Sequence, residues 1–321
     1  MKVVICGAGE TGQAHYEAFS GMDAVSVAAI ADPVAERIGR FGERGVHTFA
    51  DGSEMLKTVE ADIAVIATPT AFHAPLAIEA LKRGMHVFCE KPMARTVADG
   101  KAMLDAARKA KRKLGIGYVL RFHDAYLLAR DYIREGKLGN IGVIRTSRCA
   151  CDDAPWRKDI EANGGAVFEL LTHDLDWLCW AAGPIKRVFA RGLSKGSRIV
   201  ERDYCLAIVR FASGAIAHLE GSLAEVGQFY ASYEIAGDAG LLSYDSRKTA
   251  IIEGRLVTAG GLRELSETPQ DKRPFEKQLE AFVRAIREDD HYEVDGPEGL
   301  NSLVLTAAVM ESLQAGQSVD L

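Results

Sequence analysis

Two groups of side chains in this 321-residue sequence have types and spacings suited to chemistry. The first is Gly7-Ala8-Gly9-Glu10-Thr11-Gly12, with glycine at the first, third and sixth positions. In a strand-to-helix turn, the first glycine permits the tight turn and the second lets backbone approach a pyrophosphate. The third lets the helix pack closely on the sheet. A helix beginning at Gly9, Glu10 and Thr11 would offer its N–H groups and partial positive charge to phosphates. Asp32 lies twenty residues beyond Gly12. A carboxylate there accepts hydrogen bonds from ribose hydroxyls and repels a 2′-phosphate. Pro33 follows it rather than an arginine, which favours NAD over NADP, although Arg37 and Arg40 lie one and two turns further on. The second group is Glu169 and His173, four residues apart. On a helix they share a face, and a carboxylate beside an imidazole can orient it and raise its basicity. Asp176, three residues beyond His173, is an alternative orienting acid, and a satisfied core histidine is the alternative role for His173 itself.

These residues need elements to hold them. Apolar runs at 2–6, 25–31, 46–49, 62–68, 85–89 and 114–120 read as strands, and helical patterns fill 13–19, 74–83 and 96–113. Thr96 and Asp99 stand in capping-box spacing at the start of the last of these. Strand–helix alternation of this kind predicts a parallel sheet with right-handed crossovers. The glycine loop and Asp32 then fall at strand ends, where open α/β sheets bind ligands. Thr68 and Pro69 end the fourth strand, and His73 follows within a turn, either as a helix cap or as part of the cofactor crevice. Glu90, Lys91 and Pro92 directly follow the fifth strand.

From about residue 140 the pattern changes. A half-buried strand at 141–150 and a helix at 166–182 precede runs at 187–192, 204–211, 215–223, 229–236, 241–244 and 248–252. Consecutive runs with turn signals between them predict a mainly antiparallel sheet. Two helices, at 275–288 and 297–314, close the chain. The expected fold is α/β: an N-terminal Rossmann doubly wound parallel sheet over 1–120, then an α+β domain over 121–321. The second domain carries a large, mainly antiparallel, open-faced sheet.

The net charge of −6 gives no electrostatic reason to bind nucleic acid or an anionic membrane. The basic run Arg108–Lys113 closes a helical pattern, where cations complement the helix dipole. The six cysteines form no Cys-x-x-Cys pair and no zinc spacing, so no metal site is expected and the pattern fits a reducing compartment. A strand pattern beginning at Lys2, in place of a signal peptide, and the lack of a long apolar run point to a cytoplasmic protein.

The chain resembles the Gfo/Idh/MocA family of NAD(P)-dependent oxidoreductases. The resemblance is carried by the loop at 7–12, Asp32, Ala67-Thr68-Pro69 with His73, and Val87-Phe88-Cys89-Glu90-Lys91-Pro92. It continues through Arg121-Phe122, Gly136-Lys137-Leu138-Gly139, Trp156-Arg157, Gly164-Gly165 and Glu169-x-x-x-His173-Asp174-Leu175-Asp176. Family membership implies hydride transfer between a nicotinamide and a hydroxyl or carbonyl of a sugar, polyol or sugar derivative. It implies His173 as general base, Glu169 beside it, and Lys91 near nicotinamide and substrate as proton relay or polarising group. It places Glu90, Lys91 and Arg121 at the cofactor, and Lys91, Arg121, Trp156, Arg157, Glu169 and His173 at the substrate. Arg121 and Arg157 read equally as structural ion-pair residues. Two departures stand out: Glu169 where aspartate is usual, and Leu171 where glycine is frequent. The same residues would serve an NAD-dependent glycoside hydrolase that oxidises its sugar transiently, or a non-catalytic NAD- and sugar-binding regulator. A homodimer or homotetramer through the C-terminal sheet is expected.

Overall fold

A computed structural model describes residues 1–150, 164–193, 204–224, 228–248, 252–267 and 273–321. The chain opens with β1 (Lys2–Cys6), α1 (Glu10–Ser20), β2 (Ser26–Ala31), α2 (Ala35–Gly42), β3 (His47–Phe49) and α3 (Gly52–Thr58). Next come β4 (Ile63–Ile66), α4 (His73–Lys82), β5 (His86–Cys89), α5 (Val97–Ala110) and β6 (Leu114–Ile116). The six strands form one parallel sheet in the order β3-β2-β1-β4-β5-β6. Every residue of β4 is buried, as a strand covered on both faces requires. The strand order reverses between β1 and β4, which opens a crevice at their C-terminal ends. Thr96 caps α5 by accepting from the Asp99 N–H at 3.1 Å, and its hydroxyl donates to the Asp99 carboxylate.

The chain continues with α6 (Asp124–Arg134) and β7 (Ile141–Cys149), then a π-helix at Val167–Leu171 that runs directly into α7 (Thr172–Ala182). There follow β8 (Ile185–Leu193), β9 (Tyr204–Phe211), β10 (Ile216–Ser222), β11 (Tyr230–Gly237), β12 (Gly240–Asp245), β13 (Ile252–Thr258) and β14 (Gly261–Glu267). The last elements are α8 (Pro274–Arg287), α9 (Gly296–Ala315) and β15 (Val319–Asp320). Nine strands form the second sheet, ordered β14-β13-β12-β11-β7-β10-β9-β8-β15. All its pairings are antiparallel except β7 with β10. In β9 buried and exposed residues alternate, so one face is covered and the other open. Leu206, Ile208 and Ile216 are 37%, 42% and 46% exposed on the open face.

Two compact units result: Met1–Val119 with Arg273–Leu303, and Leu120–Lys272 with Val304–Leu321. A single boundary after residue 120 therefore misplaces residues 273–303. Aromatic packing draws them to the first unit: Phe282 and Tyr292 stack edge-on against Phe88, with ring centroids 5.5 and 6.3 Å away. Gly115 leaves the room, since a Cβ there would lie 2.8 Å from the Phe282 ring. The helices α2, α3 and α6 and the hairpin β13–β14 were not legible as apolar patterns. In the hairpin, charged Glu253, Arg255, Arg263 and Glu264 hide the strand rhythm. The helix expected from residue 166 begins instead as the π-turn at Val167.

Candidate active site

In the first unit the glycine loop has the steric profile of a phosphate cradle. Gly7 has φ +101°, and a Cβ there would meet the Ala67 carbonyl oxygen at 2.2 Å. A Cβ at Gly12 would meet the Gly7 oxygen at 2.0 Å, so α1 rests directly on the turn. Gly9 differs: a Cβ would find nothing within 4 Å, which leaves open space against backbone. No side chain caps the α1 N-terminus at Gly9, and Glu10 stands in its first turn. Thr11, the residue before Gly12, lies in the same turn. An open, uncapped helix start beside Gly9 fits a dinucleotide pyrophosphate.

Asp32 follows β2 and is 5% exposed. One carboxylate oxygen accepts from the Ala8 N–H and the other from the Val34 N–H, each at 2.9 Å. Arg37 approaches the same carboxylate at 3.6 Å, and Arg40 donates to the Ala8 carbonyl at 3.3 Å. Asp32 thus fixes the glycine loop as well as standing where ribose hydroxyls bind.

His73 begins α4 but caps nothing. Its Nδ1 faces the Pro92 carbonyl at 2.9 Å and its Nε2 the Thr68 carbonyl at 2.8 Å, so it ties the Thr68-Pro69 turn to the Glu90-Lys91-Pro92 turn. Burial pushes its pKa below the usual value, against the pull of the two carbonyls. The Lys91–Pro92 peptide bond is cis. Lys91 is half-buried, whereas Glu90 is buried with one carboxylate oxygen 2.7 Å from His15 Nε2. Sequence reasoning missed His15. The available signal was a histidine one turn after Gly12, on the side of α1 that packs inward.

In the second unit, Glu169 sits in the π-helix and His173 in the first turn of α7. Over residues 164–178 these are the two that keep partial exposure. Their neighbours are pinned. Asp174 accepts from Arg148 Nε and Nη2 at 2.7 and 3.1 Å, and Arg148 Nη2 also donates to the Tyr126 hydroxyl. Asp176 accepts from Arg121 Nε and Nη2 at 2.9 and 2.7 Å. Both pairs are buried, and the Arg148 guanidinium is held above its ordinary pKa by Asp174 despite opposing desolvation. Arg121 thus makes a bidentate ion pair, the structural option its sequence context left open, and Asp176 serves Arg121. Thr172 meets Thr306 hydroxyl to hydroxyl at 3.1 Å. Leu171 fills a notch at Gly221, where a Cβ would lie 2.9 Å from its Cγ. Trp156 and Arg157 lie outside the described residues. Among those described, no helix is long and apolar enough to cross a membrane.

Comparison with known proteins gives concordant matches. Residues 1–118 match the family model described as "Oxidoreductase family, NAD-binding Rossmann fold", and residues 126–243 match that of the GFO/IDH/MocA C-terminal domain. Myo-inositol 2-dehydrogenase of Thermotoga maritima is 28% identical over 100% of this chain and 98% of its own. The 1,5-anhydro-D-fructose reductase of Ensifer adhaerens is 30% identical over 84% of this chain and 82% of its own. The crystal structure of the WlbA dehydrogenase from Bordetella pertussis, in complex with NADH and UDP-GlcNAcA, superposes with a TM-score of 0.88. Its identity is 26%, over 100% of this chain and 97% of that one.

Proposed function

Because this chain belongs to the Gfo/Idh/MocA family of NAD-binding oxidoreductases, we propose that it moves hydride between NAD and a hydroxyl-bearing or carbonyl carbon of a sugar or polyol. His173 acts as general base and Lys91 as the polarising and proton-relaying group. The names of its relatives, an inositol dehydrogenase and an anhydrofructose reductase, support that substrate class. When bound, the nicotinamide supplies the hydride acceptor or donor.

The chain's own residues do the rest. Gly7, Gly9 and Gly12 with the start of α1 hold the pyrophosphate, and Asp32 takes the adenosine ribose. Thr68 and Pro69 line the crevice wall, held in place by His73. His173 accepts the hydroxyl proton on its imidazole, and Glu169 beside it favours the basic tautomer. Lys91 donates a hydrogen bond to the reacting oxygen, stabilising the charge that develops there. The observation that carries this reading is the selective exposure of Glu169 and His173 along a segment whose flanking acids are fixed by arginines.

The test is a screen for NAD⁺ reduction across inositols, anhydrosugars, aldoses and aldonic acids. On the substrate found, His173→Ala and Lys91→Ala should each lower kcat by about 10²–10⁴-fold while NADH still binds. Full turnover in both variants would sink the mechanism, and lack of NADH binding by the wild type would sink the whole reading. The open face of the second sheet, with its exposed Leu206, Ile208 and Ile216, is the surface through which copies of the chain assemble in this proposal.

A further inference from the structure

The glutamate before Lys91 is held by residues that no cofactor or substrate role accounts for. His15 projects from α1, the helix whose start cradles the pyrophosphate. Its ring is fully buried, edge-on to Phe88 and Phe275 with centroids 5.5 and 5.9 Å away. A carboxylate can only accept, so His15 Nε2 carries the proton it donates to Glu90 Oε1 at 2.7 Å. The other oxygen of Glu90 accepts from the Lys91 backbone N–H at 3.3 Å. From a third side, Gly117 confines the carboxylate: a Cβ there would lie 3.0 Å from Glu90 Cδ and from each carboxylate oxygen. The carboxylate is therefore clamped between a buried imidazole, the main chain of Lys91 and a wall with no side chain.

We propose that His15 and Gly117 are positioning residues for Lys91, acting through Glu90. A buried carboxylate requires donors. The nearest mobile cation along the chain is the Lys91 ammonium itself, one residue away. By supplying a neutral donor, His15 satisfies Glu90 and leaves the Lys91 ammonium for the reacting oxygen. The inference rests on the proposed role of Lys91, and it adds that the phosphate-binding helix and the lysine-bearing turn are one mechanical piece.

The experiment observes Lys91 directly. The full chain is reductively ¹³C-methylated, the Lys91 signal is assigned by its loss in Lys91→Arg, and its pKa is read by NMR with NADH bound. In His15→Leu the ammonium should pair with Glu90, raising the Lys91 pKa by about one unit and lowering kcat about tenfold or more. NADH affinity should stay within about threefold of wild type, since α1 keeps its glycine loop. His15→Gln, whose amide nitrogen can reach Glu90, should restore the signal and most of kcat. Gly117→Ala, pushing on the carboxylate from the opposite side, should displace the same signal, and it carries the test if His15→Leu does not fold. An unmoved Lys91 signal in both His15→Leu and Gly117→Ala overturns the proposal. So does a loss of NADH affinity as large as the loss of kcat, which would make His15 a support of the cofactor helix alone. If Lys91→Ala itself retained full turnover, the proposed chemistry would fail while the NMR signal still reported on the clamp.

Discussion

Glycines of the same motif do different work at the residue scale. Gly12 and Gly7 are required by the fold, because a Cβ at either would collide with main-chain atoms. Gly9 is required by nothing in the protein, since the space beside it is open. A glycine that the fold does not need, at the start of an uncapped helix, is explained by a ligand backbone passing close to it. Gly9→Ala should therefore leave the thermal midpoint within about 2 °C of wild type, as a strain-free surface change does. It should weaken NADH binding tenfold or more, measured by calorimetry. Equal losses of stability and affinity would show that Gly9 serves the turn instead. Asp32 reads both ways: its two oxygens hold Ala8 and Val34 N–H groups, and its lone pairs exceed those two bonds.

At the scale of elements, α7 is fixed along its buried side. Asp174 and Asp176 reach Arg148 and Arg121, Thr172 reaches Thr306, and Leu171 fits against Gly221. The π-turn at Val167–Leu171 precedes this fixed stretch and follows Gly164 and Gly165, both with positive φ. Single π-turns occur frequently at functional sites because they re-aim side chains without breaking the helix. Here the turn carries Glu169 into α7, whose first turn carries His173. Breaking the anchor should matter more than its surface area suggests. Asp174→Ala leaves the Arg148 guanidinium buried without its carboxylate, and removal of one partner from a buried pair costs about 3–5 kcal/mol. Urea unfolding should register that loss, whereas a change below about 1 kcal/mol would show the pair to be dispensable.

For the whole molecule, the second sheet offers one covered and one open face. The open face mixes apolar Leu206, Ile208 and Ile216 with ion pairs such as Arg145–Glu234 and hydrogen bonds such as Ser147–Glu220. An extended, partly apolar sheet face favours pairing with a second copy through a two-fold axis. Light scattering should give a dimer or tetramer, and Ile208→Lys with Ile216→Lys should shift the population toward monomer. A monomeric wild type at micromolar concentration would end that proposal.

The sequence alone determined the α/β class, the strand-by-strand course of the first sheet, and the identity of the glycine loop with Asp32. Those features are local: buried strands are continuous apolar runs, and the turn chemistry lies within six residues. It also exposed Lys91, Glu169 and His173 as candidates, through short patterns and a family resemblance. Only the tertiary structure decided which acids are engaged by arginines, because Arg148–Asp174 and Arg121–Asp176 join residues 26 and 55 positions apart. It likewise returned residues 273–303 to the first unit through Phe88, Phe282 and Tyr292. And it joined His15 to Glu90 across 75 residues. Pairings of buried polar groups depend on which elements become neighbours, and no spacing along one chain encodes that.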